Sequence, residues 1–185
     1  MRIFFTALLA TSFILSFAQK PQLDSNFIFW SKHRHLKESD FAIKTTNKGS
    51  HSFGQYSFDY NIVGAFTFGL PKDYKKKIRN YFIKSASWID TTSNIALSLN
   101  YQQTLFDMSE IYVRRFRKEV YQNRKKINWG KLKLEDISSI VMTDFANRRA
   151  VYEMETKSGN IMTKQKNWER IIKRELEELT EFAVD

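Results

Sequence analysis

The run "SLNYQQTLFDMSEIYVRRFRKEVY", residues 98–121, decides how the rest of the chain is read. It sits in a stretch from Ile95 to about Ile127 that contains neither proline nor glycine, the two residues that most readily stop a helix. At about 100° per residue, Tyr101, Leu105, Met108, Tyr112, Phe116, Val120 and Ile127 fall on one face, and Asp107, Arg114, Lys118, Tyr121 and Lys125 gather on the other. The spacing predicts a long amphipathic helix, capped by Thr92 or Ser93 and inward-facing along its apolar stripe. The helix has the look of an active-site helix, yet it contains no histidine and no cysteine.

Two more helices follow. Gly130 in "NWGKL" is placed to stop the first. A second runs from about Leu134 to Thr156, "KSGN" (157–160) is a turn, and a third runs from Thr163 to Phe182 with Trp168, Ile171, Ile172, Leu176 and Leu179 on its apolar side. Upstream the character is that of strands. "NFIFW" (26–30), the aromatic and β-branched run Ser52 to Gly69 with a turn at Asp59 to Asn61, and "KKIRNYFIKSASWID" (76–90) each read as strand or paired strands. Strands first and helices afterwards predict an α+β fold, a small antiparallel sheet packed on a long central helix and two others.

At 185 residues the chain has room for one domain with a real core, and 16 Phe, 8 Tyr and 4 Trp supply the apolar bulk to fill it. Only 2 prolines and 6 glycines argue against a linker or a disordered protein, and the absence of cysteine rules out a disulfide framework and a lipid-modified cysteine anchor. Residues 1–18 read as a signal peptide: Met1-Arg2, an apolar run from Ile3 to Leu15, then Ser16-Phe17-Ala18 before a cut at Ala18/Gln19. The apolar run is shorter than the roughly 17 to 25 residues of a spanning helix, so a secreted or periplasmic domain over 19–185, with no transmembrane segment after processing, is expected.

The remaining motifs are weak. His33 and His35 share a face if their segment is a strand, and with His51 would give a metal fragment, although solvated histidines are the commoner outcome. Asp107 and Glu110 fit a surface ion-pair pattern with Arg114 and Arg115 better than an acid/base pair. A formal charge of +10 and two basic runs interleaved with aromatics, Lys72 to Lys84 and Arg114 to Lys126, suit a polyanion, with Lys75, Lys76, Lys77, Arg114, Arg117, Lys118 and Lys125 as the contacts. In an exported protein the polyanion would be an anionic envelope component rather than nucleic acid. No Ser/His/Asp set or glycine-rich phosphate loop is present.

Four segments together carry a resemblance: "FIFWSKHRHLKESDF" (27–41), "NYFIKSASWID" (80–90), "LSLNYQQTLFDMSEIYVRRFRKEV" (97–120) and "YEMETKSGNIMTKQKNWERII" (152–172). They resemble the domain of unknown function 922 family, a group of predicted secreted zinc-dependent proteases. The matching anchors are Phe106, Asp107, Glu110, Ile111 and Tyr112, then Glu155, Thr156, Gln165 and Trp168. Members carry His-Glu-Gln-Gly-His-Phe-Asp on the long helix and a Thr-x-His segment near the last one, which implies a zincin-like arrangement. Two histidines four apart share one helix face and can bind a tetrahedral zinc, while the adjacent Glu activates its water. In this register the first zinc histidine falls on Tyr101, the catalytic Glu on Gln102, the second histidine on Leu105 and the downstream histidine on Ser158. No histidine follows His51, so no shift of register restores the motif. The resemblance therefore implies a protease-like scaffold with no zinc, no cofactor and no catalytic residues, acting by binding a protein or an envelope component. A residual or altered metal-dependent hydrolase and a polyanion-binding envelope protein are the alternatives.

Overall fold

A computed structural model describes residues 25–46, 51–62 and 69–184. The expected signal peptide and the second half of the Ser52–Gly69 hairpin lie wholly or largely outside the described residues. The fold is α+β, as the order of strand-like and helix-like text predicts. Strands β1 (Phe27–Phe29), β2 (Ile43–Thr45), β3 (Ser52–Tyr60) and β4 (Ile78–Asp90) precede helices α1 (Ile95–Gln122), α2 (Arg124–Asn128), α3 (Leu134–Thr156) and α4 (Met162–Glu178).

The sheet is organised by β4, whose 13 residues reach across the whole of it. One edge of β4 pairs antiparallel with β3, from Tyr60↔Ile78 to Ser52↔Ile89, with an irregularity between Phe53 and Gln55. Its other edge takes two short strands end to end: β1 is antiparallel (Phe27↔Ile83) and β2 is parallel (Ile43↔Trp88). The sheet is thus mixed, not purely antiparallel as expected. Its parallel strand depends on the segment between β1 and β2, which reverses the chain around Asp40. That buried carboxylate accepts from Arg34 Nη2 at 2.9 Å and from the Lys37 backbone N–H at 2.8 Å, so the reversal is held from inside.

The alternation of β4 puts Ile78, Asn80 and Phe82 on the face that meets α1, where Phe82 packs edge-on to Phe41 and tilted against Tyr56 and Phe106. Helix α1 lies across this face, α3 and α4 pack against α1, and α3 also reaches β3, where Phe145 meets the Tyr56 ring and Arg149 donates to the Gly54 carbonyl. Asn94 caps α1, accepting from the Leu97 N–H at 3.1 Å, in place of the expected Thr92 or Ser93. Thr92 is instead drawn to Asp90, whose carboxylate it meets through both backbone and side chain. Helix α1 stops at Gln122, a turn earlier than the uninterrupted text suggests. Asn123 folds its amide back onto the Glu119 carbonyl and carboxylate, and Gly130, at φ +66°, closes the short α2. Helix α3 spans the residues its periodicity predicts. It ends in three consecutive left-handed residues, Lys157, Ser158 and Gly159, the expected "KSGN" turn.

Candidate functional site

Three of the positions that the resemblance assigns to a zinc site are packed core, and the fourth, Ser158, is half-buried in the turn that reaches them. Tyr101 is 3% exposed, and Gln102 and Leu105 are fully buried. The Tyr101 ring stacks on Tyr152, centroids 5.1 Å apart and planes 8° from parallel. The turn that carries Ser158 comes against this ring through the neighbouring Gly159, so the fourth position lies beside the first. Gly159 explains how Ser158 gets there: at φ +87° it needs no Cβ, and a Cβ would sit 3.0 Å from that of Tyr101. Burial pushes the Tyr101 phenol up to about 12, against a smaller lowering from Arg149 and Ser158.

Gln102 is sealed on the sheet side. Its amide nitrogen donates to Ser52 Oγ at 3.0 Å, and its Oε1 accepts from the Tyr56 hydroxyl at 2.5 Å. The same hydroxyl reaches the Gln102 carbonyl at 2.9 Å. This seat depends on Gly54, where any Cβ would run into both the Tyr56 hydroxyl and Gln102 Oε1. Around Tyr152 a polar chain completes the packing. Its hydroxyl donates to Gln165 Oε1 at 2.7 Å, and Gln165 Nε2 donates to Thr104 Oγ1 at 3.0 Å and to Glu169 at 2.9 Å. The anchor residues Glu155 and Trp168 are also partners, indole N–H to carboxylate at 2.9 Å.

This donor set does not fit zinc. Leucine offers no lone pair, both ends of the Gln102 amide are engaged, and a phenol held near 12 stays protonated at neutral pH. Among the described residues no group of three or more His, Cys, Asp or Glu side chains is placed to hold a metal ion. His33 and His35 are exposed, in a turn and the irregular chain after it rather than on a strand, so the shared face expected of them is not formed.

The carboxylates of α1 are not the exposed pair the sequence suggests. Glu110 is 1% exposed and accepts from Arg114 Nε at 3.1 Å and Arg117 Nη1 at 2.7 Å. Arg115 turns away to Glu175. Asp107 accepts from Trp30 Nε1 at 2.8 Å and Gln103 Nε2 at 2.9 Å, while Gln103 in turn accepts from the Leu36 N–H. Burial raises the Asp107 carboxyl above its ordinary range, more than the Trp30 and Gln103 hydrogen bonds lower it. Asp107 opens on a cleft of about 580 Å³ that also includes Trp30, His35, Gln103, Lys173 and Glu177. The sequence signals for this cleft were Trp30 and Asp107, each visible alone; their contact across 77 residues was not.

The basic contacts expected for a polyanion are divided by the fold. Arg114 and Arg117 are 5% and 1% exposed and withdraw from any surface, because Glu110 and backbone carbonyls take up their donors. Lys75 donates to the Glu181 carbonyl, whereas Lys76 and Lys125 are exposed and Lys77 and Lys118 are half-buried. No protein family, no curated protein and no solved structure matches the chain.

Proposed function

We propose that the chain is a secreted or periplasmic, catalytically inactive zinc-peptidase-like domain that acts by binding or scaffolding in the cell envelope. The observation that carries this reading is the approach of the Ser158–Gly159 turn to Tyr101, beside a buried Gln102 and Leu105. Positions 101 and 158, 57 residues apart, are brought together by the fold, and the three positions on α1 are occupied by side chains that pack instead of coordinate. Convergence supports the inherited scaffold, and the packing supports the loss of its chemistry. Among the described residues no helix is long and apolar enough to cross a membrane.

The test is metal content. The processed protein, purified without a histidine tag and incubated with excess Zn²⁺, is expected to retain no stoichiometric zinc and to melt at the same temperature with and without EDTA. About one zinc per chain with a chelator-dependent melt and chelator-sensitive peptide cleavage would overturn the reading. The inherited geometry has its own test: the variant Tyr101→His, Gln102→Glu, Leu105→His, Ser158→His is expected to acquire a zinc that the parent lacks. A second reading, a residual hydrolase, is favoured only by the Asp107 cleft with His35 on its wall. It requires that any hydrolysis found disappear on His35→Ala and on Asp107→Asn.

A further inference from the structure

One cleft combines free charge with a buried acceptor. It lies where β1 runs out along β4, measures about 410 Å³, and its wall includes Phe29, Trp30, Lys76, Arg79, Glu110 and Arg117. That volume is ordinary for a small-molecule site. Its outer cations are free. The Arg79 guanidinium carbon sits 3.5 Å from the centre of the Phe29 ring, and the group makes neither an ion pair nor a side-chain hydrogen bond among the described residues. The sheet register sets the exposed Asp59 directly opposite Arg79, yet the two do not pair. Lys76 is exposed and likewise unpartnered among the described residues. Stacking holds the Arg79 fork in place and leaves its N–H donors open to a carboxylate or phosphate.

The buried acceptor is Glu110, 1% exposed and part of the same wall. Both guanidinium groups that it holds, through Arg114 Nε and Arg117 Nη1, bind its Oε1. Its Oε2 accepts no hydrogen bond among the described residues. A carboxylate oxygen withdrawn from bulk water needs a donor, and the cleft is the side from which one can come. Arg117, though it also lines the cleft, supplies charge there rather than a contact, since Glu110, Ile78 O and Phe182 O take up four of its N–H groups.

We propose that this cleft binds an anionic sugar, whose carboxylate or phosphate is held by Arg79 and Lys76 while one of its hydroxyls donates to Glu110 Oε2. Charge defines both ends. The wall carries three cations, Lys76, Arg79 and Arg117, to one carboxylate, which favours an anion. Beside Glu110 the balance is different: Arg114 and Arg117 already outweigh it, so an ammonium donor would be repelled and a second anion would meet Oε2. A neutral hydroxyl suits that position, and Phe29 and Trp30 present apolar surface to the C–H face of a sugar ring. Asp107, the carboxylate that Trp30 holds, lines a different cleft. Glu110 lies half a turn around α1 from Tyr101 at about 100° per residue. The ligand thus gives a chemistry to the binding role proposed above, on which it rests, without involving the zinc-like positions.

The test is titration of the processed protein with D-glucuronate in low salt, followed by NMR at the Trp30 indole and the Arg79 backbone amide. Saturable shifts with a Kd on the order of 1 mM are expected for a ligand of this size. Glucose, which lacks the anion, and cyclohexanecarboxylate, which lacks the hydroxyls, should each bind at least about tenfold more weakly. Glucose 6-phosphate distinguishes the two anions: tighter binding than glucuronate assigns a phosphate to Arg79, and weaker binding a carboxylate. Arg79→Ala and Lys76→Glu are each expected to weaken glucuronate about tenfold. Lys76 is exposed, so its variant should melt with the parent. Asp185→Asn, which removes the carboxylate next in sequence to the cleft residue Val184, should leave the affinity unchanged. No saturation by either anionic sugar up to about 20 mM overturns the proposal. So does cyclohexanecarboxylate or inorganic phosphate binding as tightly as the sugars, or a gain of about tenfold in Asp185→Asn, which would make the site the chain's own. Zinc uptake by a protein that still binds the sugar would remove the inactive-peptidase reading and leave the cleft. A zinc-free protein that ignores both sugars would remove only the cleft.

Discussion

Helix α1 is buried along two opposite sides, and the two are built on different physics. Toward α3 and the turn at Gly159 it presents Tyr101, Leu105 and Met108, closed by ring stacking and aliphatic packing. Toward β4 and the C-terminal turn it presents Glu110, Arg114 and Arg117, charges that are nearly as inaccessible as the apolar residues. One carboxylate cannot balance two guanidinium groups. The remainder is taken up by backbone carbonyls: Arg117 donates to Ile78 O through Nε and Nη2 and to Phe182 O through Nη1, and Arg114 Nη1 donates to Leu176 O at 2.7 Å. The charged side is thus a clasp that ties the start of β4 and the end of the chain to the central helix. The difference teaches that an amphipathic sequence need not mean a solvent-facing helix when acceptors are supplied from neighbouring elements.

The clasp is expected to be the more fragile side. Removing Arg117 by Arg117→Ala leaves Glu110 and three carbonyl contacts under-satisfied inside the protein, and a loss of ~3 to 5 kcal/mol is expected by urea denaturation. Glu110→Ala, which strands two guanidinium groups, should lose a similar amount. A loss below about 1 kcal/mol for both would mean that water reaches the cluster and that the two sides are not different in kind. Lys118→Ala, on the same helix but only half-buried, should stay within about 0.5 kcal/mol of the parent.

On the apolar side the expected costs are smaller and divide by mechanism. Leu105→Ala opens a cavity at a fully buried position and should cost ~2 to 5 kcal/mol, with the denaturant slope unchanged. Tyr101→Phe keeps the stack on Tyr152 and removes only the phenol oxygen, so no more than about 1 kcal/mol is expected. If Tyr101→Phe costs as much as Leu105→Ala, the phenol is doing more than filling the place of a ligand.

The sequence made the helices legible because period and breakers are local: α3 begins and ends where its pattern says, and the α+β order follows from the text. What it did not show depends on distant partners. Strand β2 is three residues long with Ile43 and Lys44 exposed, so no alternation marks it, and its parallel pairing is imposed by the reversal at Asp40. The clasp was unreadable because arginine on a helix normally means surface; only the carbonyls of Ile78, Leu176 and Phe182 reverse that expectation. For the candidate site, the resemblance pointed to Tyr101 and Ser158, but the reason they lie side by side lay in Gly159 and the reason Gln102 is sealed lay in Gly54. Both glycines were visible, Gly159 inside the expected "KSGN" turn and Gly54 inside a strand, but neither showed locally which side chain it would lie against.

Asp107 stands between the two regimes, a carboxylate partly removed from water with neutral donors in place of arginine, and its response should be the mildest. Its carboxyl is raised in the folded chain, chiefly by burial, so the folded state holds its proton more tightly than the unfolded chain does. Stability from this group is therefore fully present below the unfolded value, about 3.9, and declines as pH rises through the folded value above it. Asp107→Asn removes that decline while keeping an oxygen to accept from Trp30 and Gln103. The variant is expected to melt slightly higher than the parent at neutral pH, with the difference vanishing below about pH 4. A variant less stable than the parent at neutral pH would reverse the assignment. It would mean that the ionised carboxylate is supported in its cleft, by His35 and the lysine opposite, and that the cleft favours the charge it holds.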